Sequence, residues 1–223
     1  MTGRRPGIAR RVAVLLFGGV LALAGCSGSS GYDPSQQMRA ALLQLSDFPP
    51  TWRAYPQSAN AGDLLGDIAV CTGAVKQERP VAMVQSSEFR NHQERITSTA
   101  VALNSNGDVS KRASSLGLPR ATGCAARAAQ QRVLDLLPGA KITSADFTVQ
   151  PGGVNVAINY AGILHGVVNA DVEGKATKVY VDAVFLLGTA FYSDITFLGV
   201  SSPVPDAIEH VLTDDVALRE QHA

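Results

Sequence analysis

The side chains best suited to covalent chemistry in this sequence are the thiols of three cysteines: Cys26, Cys71 and Cys124. A cysteine thiol can be acylated, oxidised to a disulfide, bound to a metal or used as a nucleophile. Cys26 ends an apolar run and is followed at once by Ser-Gly-Ser-Ser, whereas the other two lie far downstream in mixed sequence. These surroundings predict different chemistry for Cys26 and for the other pair.

The segment before Cys26 has the composition of an export signal. Four arginines and no acid lie within the first 11 residues, and a 13-residue apolar run from Val12 to Ala24 follows them. A helix that spans a bilayer needs about 20 apolar residues, whereas a shorter apolar run behind a positive segment is typical of a signal peptide. We expect a signal peptide over residues 1–25. The two arginine pairs leave twin-arginine export open, although neither lies in a convincing motif and general secretion is favoured.

Leu23-Ala24-Gly25-Cys26 resembles the bacterial lipobox, which is a Leu, two small residues and a Cys at the end of the apolar run. The resemblance implies that the Cys26 thiol is diacylglycerated, that signal peptidase II cuts between Gly25 and Cys26, and that the new amine is often acylated, as with palmitate. Two or three acyl chains anchor a protein stably to a membrane. Residues 27–32 then form a flexible tether that reaches on the order of 15 Å. The alternative is an ordinary cleaved signal peptide with an incidental Cys26.

Cys71 and Cys124 are predicted to form one disulfide, because an exported chain folds in an oxidising space. The closed loop of about 50 residues would stabilise the fold by ~4 kcal/mol in the chain-entropy model. A metal site is the weaker interpretation, since neither cysteine has a His or Cys at ligand spacing and the sequence has no CxxC. A catalytic thiol is weaker still, because the sequence places no histidine to activate it.

The composition indicates one globular domain with a mildly acidic surface. Of the 223 residues, 46% are hydrophobic and 17% are charged, which excludes a disordered chain. Four of the 19 basic residues precede Cys26 and no acid does, so 15 basic and 19 acidic side chains remain after cleavage. The resulting charge of about −4 argues against nucleic-acid binding, which needs a basic patch. We expect a single domain over residues 33–223.

The histidines offer little support for catalysis. No nucleophile elbow, zinc-protease helix, P-loop or dinucleotide glycine pattern occurs in the sequence. His92 lies in a predicted turn, His210 on the last predicted helix and His222 in the tail. His165, near Asp171, is the most interesting, but such a neighbourhood is usually a surface or satisfied interior pair. We therefore predict no catalytic residue, no metal and no cofactor.

Two further sets of residues have both a structural and a functional interpretation. Trp52 follows two prolines; packing of the loop after the first helix is favoured, and a wall of a ligand groove is the alternative. Asp182 and Asp194 interrupt apolar strands and are candidate inward-facing groups, although strand alternation favours the solvent face. The late aromatic residues are expected to form sheet core and cross-strand pairs; they are Tyr160, Tyr180, Phe185, Phe191, Tyr192 and Phe197.

The elements that must position these residues alternate between helical and strand patterns. Helices are predicted from Asp33-Pro34 through Leu45, over residues 62–71, from Val109 with Asp108 as cap, from Pro119 or Thr122 to Leu137, and over residues 202–220. Strands are predicted over residues 82–90, 95–103, 144–150, 154–160, 179–188 and 190–200, with Pro151-Gly152-Gly153 as a hairpin turn. Hairpin-spaced strands with a few helices indicate the α+β class, an antiparallel sheet packed with several helices.

The order of these features resembles a family of actinobacterial envelope lipoproteins similar to the extracellular sensor-like domain of the mycobacterial receptor kinase PknH. The most specific segment is residues 45–52, LSDFPPTW, beside a family pattern close to L-x-D-L-P-x-G-W. Phe48 replaces Leu and Thr51 stands at the Gly position. The resemblance covers most of residues 36–200, and the chain has cysteines for one disulfide where the kinase domain has two. It implies a sheet with helices around a cleft that binds an extracellular ligand.

The sequence therefore favours a non-enzymatic lipoprotein at the extracytoplasmic face of the cell membrane. Its partners would be the membrane, through the N-terminal lipid, and an envelope ligand or protein. An envelope hydrolase is one alternative, in which Asp182, Asp194 or His165 would converge in one cleft. A lipid carrier is another, and it predicts a hollow fold with a large apolar cavity.

Overall fold

A computed structural model describes residues 34–57, 62–77, 79–152, 160–188 and 191–222. These residues form one eight-stranded antiparallel sheet with five helices and a disulfide, which confirms the predicted α+β class. The predicted signal peptide, Cys26 and the tether lie outside the described residues, as do residues 154–159 of one predicted strand. Among the described residues, no helix is both long and apolar enough to cross a bilayer.

The helices and strands have the following bounds. The helices are α1 (Pro34–Ala41), α2 (Leu64–Thr72), α3 (Asn106–Ser114), α4 (Ala121–Leu136) and α5 (Asp206–His222), with short 3₁₀ turns at Leu45–Asp47 and Ser115–Gly117. The strands are β1 (Arg53–Tyr55), β2 (Ala82–Gln85), β3 (Glu88–Asn91), β4 (Glu94–Ala102), β5 (Lys141–Pro151), β6 (Tyr160–Val172), β7 (Lys175–Leu187) and β8 (Phe191–Val200).

The sheet consists of two groups of strands, β1 to β4 and β5 to β8, which are joined by the pairing of β4 with β8. The strand order is β1-β3-β4-β8-β7-β6-β5, and β2 also pairs with β4. After β4 the chain runs through α3 and α4 to the far edge, then returns strand by strand from β5 to β8. Because β8 closes against β4 over nine residue pairs, the last strand lies in the middle of the sheet.

The predicted strand over residues 82–90 is two strands separated by a bulge. β2 and β3 both pair with β4, but Gln85 faces Thr99 whereas Phe89 faces Ile96, so the register shifts by one residue between them. Ser86 lies in the bulge, where its hydroxyl accepts the Ser98 N–H at 2.9 Å. An extra residue of this kind bends a strand and increases its twist.

The strand β6 is absent from the sequence prediction beyond Tyr160. It pairs with β7 through a two-residue turn, Glu173-Gly174, whose φ angles are 53° and 80°. Two successive positive φ angles define the type I′ hairpin turn, in which glycine is favoured. The predicted hairpin turn at Pro151-Gly152-Gly153 is wrong at its first residue, because Pro151 lies in β5 and pairs with Gly162; Gly153 lies outside the described residues.

One face of the sheet is covered by α2, α3 and α4, and we call it the α4 face. Its core joins these helices to strands β5 to β8. The buried members include Leu65, Ile68, Val133, Phe147, Leu164 and Phe185. The disulfide between Cys71 and Cys124 ties α2 to α4 with Cα atoms 5.7 Å apart, which confirms the predicted pairing.

The opposite face is covered by α1 and α5, and we call it the α5 face. Its core contains Phe48, Trp52, Phe89, Phe197, Leu212 and Val216, and a smaller cluster under α1 adjoins it. The amide of Leu43, just after α1, donates to the Ser98 hydroxyl at 3.0 Å and ties this segment to β4.

Three details of the predicted helices are corrected. Helix α1 ends at Ala41, and Leu45 lies in a 3₁₀ turn with 47% of its surface exposed. Ser105 caps α3 by accepting the Asp108 N–H, so Asp108 belongs to the first turn instead of capping the helix. On α5, the apolar spacing predicts Val204, Ile208, Val211 and Leu212 on one side of the helix. Val211 is instead 56% exposed, because the buried stripe runs through Leu212 and Val216.

Candidate functional site

A buried guanidinium on the α4 face organises the most elaborate polar cluster of the described residues. Arg112 of α3 is 4% exposed, and its Nη1 donates both to a carboxylate oxygen of Asp63 and to the Tyr192 hydroxyl, the latter at 2.7 Å. The Tyr192 hydroxyl in turn donates to the same oxygen of Asp63 at 2.6 Å. Burial raises the pKa of Tyr192, so its hydroxyl keeps the proton that it donates.

Asp63 is also the N-cap of α2, and this position holds its carboxylate beside Arg112. Its second carboxylate oxygen accepts the Gly66 N–H at 2.7 Å. The carboxylate is therefore held between a helix N-terminus and a guanidinium, two groups that both stabilise its charge.

Gly66 is the residue that allows Arg112 and Asp63 to meet against α2. A Cβ atom at this position would lie 2.1 Å from the Asp63 carboxylate and 2.5 Å from Arg112 Nη1. The absence of a side chain in the first turn of α2 thus leaves the space that the ion pair occupies.

A surface cavity of about 230 Å³ opens beside Arg112, between α3 and the segment that follows α2. Gly73, with a φ of 81°, ends α2, and the next two amides bond back to Ala69. These bonds hold the start of one wall of the cavity, at Ala74 and Val75. The lining residues are Ala74, Val75, Lys76, Arg79, Leu103, Asn104, Asp108, Lys111 and Arg112.

The described lining of the cavity is predominantly cationic. It has four basic side chains and the single carboxylate of Asp108, which Lys111 and the Ser105 hydroxyl already engage. Arg112 is paired with Asp63. Lys76 and Arg79 therefore remain as positive charges beyond the two ion pairs, and both are exposed.

The chemistry that this arrangement supports is recognition of an anion. Arg112 uses only Nη1 toward Asp63 and Tyr192, and no described residue accepts a hydrogen bond from its Nε or Nη2. A planar guanidinium held by two partners presents its other N–H groups in a fixed direction.

Asp194 lies behind the cluster and corrects a prediction. The side chain is 1% exposed on the α4 face, not on a solvent face, and its carboxyl accepts the Leu64 N–H at 3.2 Å. Burial raises the pKa of Asp194 to about 7, and the negative charge of Asp63 adds to the rise, while Arg132 opposes it.

The pair formed by His165 lies on the other face. His165 Nδ1 is 2.7 Å from Asp182, its cross-strand neighbour, and not beside Asp171. In β7, Asp182 and Phe185 point to opposite faces, and Phe185 is the residue that faces Asp194. The structure thus brings His165 and Asp182 together and separates Asp194 from them by the thickness of the sheet, so the three residues do not share one cleft.

The remaining candidate residues lie apart from the cavity. Trp52 is 2% exposed and packs on Phe48 with ring centroids 4.9 Å apart, so it is a core residue and not the wall of a groove. His92 occupies the β3–β4 turn and His210 is exposed on α5. Among the late aromatic residues, Tyr160 and Tyr180 are half-buried and the other four are buried, as expected of sheet core.

The second cavity lined by described residues adjoins the disulfide. It measures about 270 Å³, and Arg127 lies across it with Nη2 at 2.7 Å from Cys71 Sγ. The described part of the chain contains no group of three or more His, Cys, Asp or Glu side chains able to hold a metal ion.

Comparison with known proteins gives a limited result. No protein-family model matches the chain, and the search of curated proteins finds no match. Among solved structures, the chain is similar to the solution structure of cyanobacterial PsbP (CyanoP) from Synechocystis sp. PCC 6803, with 12% identity over 89% of this chain and 96% of that one. The TM-score is 0.29, a value that supports no inference about function. The resemblance to the PknH-type sensor-like domain stays a prediction.

Sequence reasoning did not identify Asp63, Arg112 or the basic wall of the cavity. Asp63 and Arg112 are 49 residues apart, and Tyr192 is 80 residues further along, so no local pattern joins them. The available signal was an aspartate directly before an apolar helix that carries a glycine in its first turn.

Proposed function

We propose that the protein is a membrane-anchored lipoprotein whose folded domain binds a ligand outside the cytoplasm without catalysing a reaction. The observation that supports the binding role is the cavity beside Arg112, where the fold holds a buried guanidinium in place and surrounds it with further polar side chains. A site of this kind is preorganised for a ligand, because its central group is already fixed in one orientation.

The anchor and the cavity have complementary roles in this proposal. Acylation of Cys26 keeps the protein at the membrane surface, and the Gly- and Ser-rich sequence of residues 27–32 suits a flexible tether. A disulfide is stable in the oxidising space outside the cytoplasm. The disulfide between Cys71 and Cys124 also ties α4 to α2, the helix that precedes one wall of the cavity.

The anchor is tested by metabolic labelling with a palmitate analogue in cells that produce the full chain. We expect the wild type to be labelled and to sediment with membranes, and Cys26→Ser to lose both properties. Ser29→Ala, a change within the tether, is the matched control and should be labelled normally. Labelling of Cys26→Ser would contradict the anchor.

Ligand binding is tested by native mass spectrometry of the full-length protein isolated from its own envelope in a neutral detergent. We expect an additional non-covalent mass on the wild type. Leu103→Trp should lose that mass, because the indole ring is larger than the leucine side chain and fills the cavity. Leu118→Trp, at an exposed position outside the cavity lining, should keep it. A protein that is free of ligand in every preparation would contradict the binding role.

A further inference from the structure

We propose that the cavity between α3 and the segment after α2 binds the phosphate group of a small molecule. This inference rests on the proposed binding function and deepens it by naming the chemical class of the ligand. It stands on three observations: the hydrogen bonds that hold Arg112, the cations that line the cavity with it, and the backbone hydrogen bonds at the start of the wall after α2.

Arg112 supplies the central donors. Asp63 and Tyr192 engage its Nη1, and no described residue engages the Nε and Nη2 edge. That edge carries parallel N–H bonds that match two oxygens of a phosphate or a carboxylate. Because the side chain is almost fully buried and is bound on one edge, it cannot turn away from an arriving ligand.

The other cations approach from a different part of the chain. Lys76 and Arg79 follow α2, whereas Lys111 precedes Arg112 on α3, and all four line the same cavity. Cations on opposite walls suit a tetrahedral group with three terminal oxygens better than a planar carboxylate with two. A phosphate therefore satisfies the Arg112 edge and the two charges of Lys76 and Arg79 together.

The cavity also has a limit on what it accepts. Its volume of about 230 Å³ admits a phosphate with a small substituent and not a folded macromolecule. The wall that carries Lys76 and Arg79 begins at Ala74 and Val75, whose amides donate to the Ala69 carbonyl, so backbone hydrogen bonds hold the start of this wall.

The test is isothermal titration calorimetry of the full-length chain in a neutral detergent, with inorganic pyrophosphate as the probe and malonate as a dicarboxylate of similar length. We expect pyrophosphate to bind about tenfold more tightly than malonate. Raising the NaCl concentration from about 0.05 M to about 0.5 M should weaken binding, because exposed charges are screened.

A double variant, Lys76→Gln with Arg79→Gln, removes the two charges that no described ion pair uses. We expect pyrophosphate affinity to fall about tenfold or more, since hydrogen bonds to charged groups contribute that much. The matched control is Lys175→Gln with Lys178→Gln, two exposed cations of β7 remote from the cavity lining, which should bind as the wild type does. Equal affinities of the two double variants, or malonate binding as tightly as pyrophosphate, would overturn the inference.

Two further ligands distinguish the sources of the phosphate. Glycerol 3-phosphate represents a free phosphate monoester, and dihexanoylphosphatidylglycerol represents a lipid headgroup. Binding of either one that depends on Lys76 and Arg79 supports the inference and identifies the source. If none of the phosphate probes binds while native mass spectrometry still finds a ligand that Leu103→Trp excludes, the phosphate assignment fails and the proposed binding function stands.

Discussion

On the α4 face, the buried charge of Arg112 is matched by Asp63 and by the Tyr192 hydroxyl, and a cationic cavity opens beside it. On the α5 face, the carboxyl of Glu220 is 7% exposed and its partner among the described residues is the neutral Ser193 hydroxyl. In the first arrangement, the guanidinium and the carboxylate compensate each other's charge. The second favours a proton on the carboxyl, because burial penalises its charge.

This difference indicates a division of labour between the two faces. A compensated ion pair beside a cavity can present fixed donors to a ligand at neutral pH. A carboxyl that is protonated when buried stabilises the packing of α5 and offers no fixed charge to a ligand. We therefore assign binding to the α4 face and a structural role to the α5 face, and four predictions test that assignment.

The largest effect is expected from Arg112→Met, which leaves Asp63 without its cation. Removing one partner of a buried ion pair typically costs 3–5 kcal/mol, so we expect a loss of about 4 kcal/mol in the free energy of unfolding. Urea denaturation measures it. The control is Lys111→Gln, the preceding residue of α3, whose pair with Asp108 is exposed and should contribute little to stability. Equal losses of unfolding free energy in the two variants would show that the buried Arg112–Asp63 pair stabilises the fold no more than the exposed pair does.

Glu220→Gln tests the α5 face, because glutamine mimics the protonated acid. Burial raises the pKa of Glu220 to about 7 from an ordinary value of 4.5. Its contribution to stability is therefore complete below the unfolded-state value and is lost as the pH rises through about 7. We expect the variant to exceed the wild type in stability by less than about 1 kcal/mol at about pH 5 and by on the order of 3 kcal/mol at about pH 8.

Urea midpoints at the two pH values measure this difference. Asp214→Asn, which changes an exposed carboxylate on the same helix, is the control and should leave the pH dependence of the wild type unaltered. A Glu220→Gln protein whose stability still falls between about pH 5 and about pH 8 as steeply as that of the wild type would refute the protonated carboxyl.

Gly66→Ala tests the close approach of Arg112 and Asp63 on the α4 face. A glycine inside a helix is ordinarily replaced by alanine with a gain of up to ~1 kcal/mol. Here the new methyl group would collide with both members of the ion pair, so we expect a loss of about 2 kcal/mol. Gly123→Ala in α4 is the matched control, since no atom lies within 4 Å of the position that its methyl group would take, and it should gain stability. Stabilisation by both changes would contradict the proposed role of Gly66.

The smallest effect is expected from His165→Gln. Burial raises the pKa of Asp182, and the hydrogen bond and charge of His165 partly offset that rise. Removing His165 should therefore raise the pKa of Asp182 further, as followed by carboxyl ¹³C resonances. The unfolding free energy should change by less than about 1 kcal/mol, because the histidine side chain is 47% exposed. A large destabilisation would contradict this expectation, because it would show that the His165–Asp182 pair contributes strongly to the free energy of unfolding.

Local patterns predicted those parts of the fold that depend on neighbouring residues. The helix α4, the strands β7 and β8, and the pairing of Cys71 with Cys124 all follow from spacing or from compartment. Strand β6 escaped prediction because Gly162 and Gly166 interrupt its apolar alternation. Gly166 has no side chain because the ring of Phe147 occupies that space, which is a long-range contact.

The candidate site depends on contacts that sequence spacing does not contain. Alternation placed Asp194 on a solvent face, but α2 covers that face and the Leu64 amide meets the carboxyl there. Gly66 lowers the helix propensity of α2, and the ion pair that occupies the space of the missing side chain explains why glycine is needed there. Asp194 and Gly66 depart from strand alternation and from helix propensity because residues distant in the sequence contact them.

The most direct test of the division between the two faces is an NMR titration of the full-length chain in detergent micelles with inorganic pyrophosphate. The account predicts amide shifts in residues 74–77 and 104–112, which border the cavity, and unchanged amides at His165, Asp182 and Glu209 on the α5 face. Shifts centred on those three residues, with the cavity amides unmoved, would contradict it.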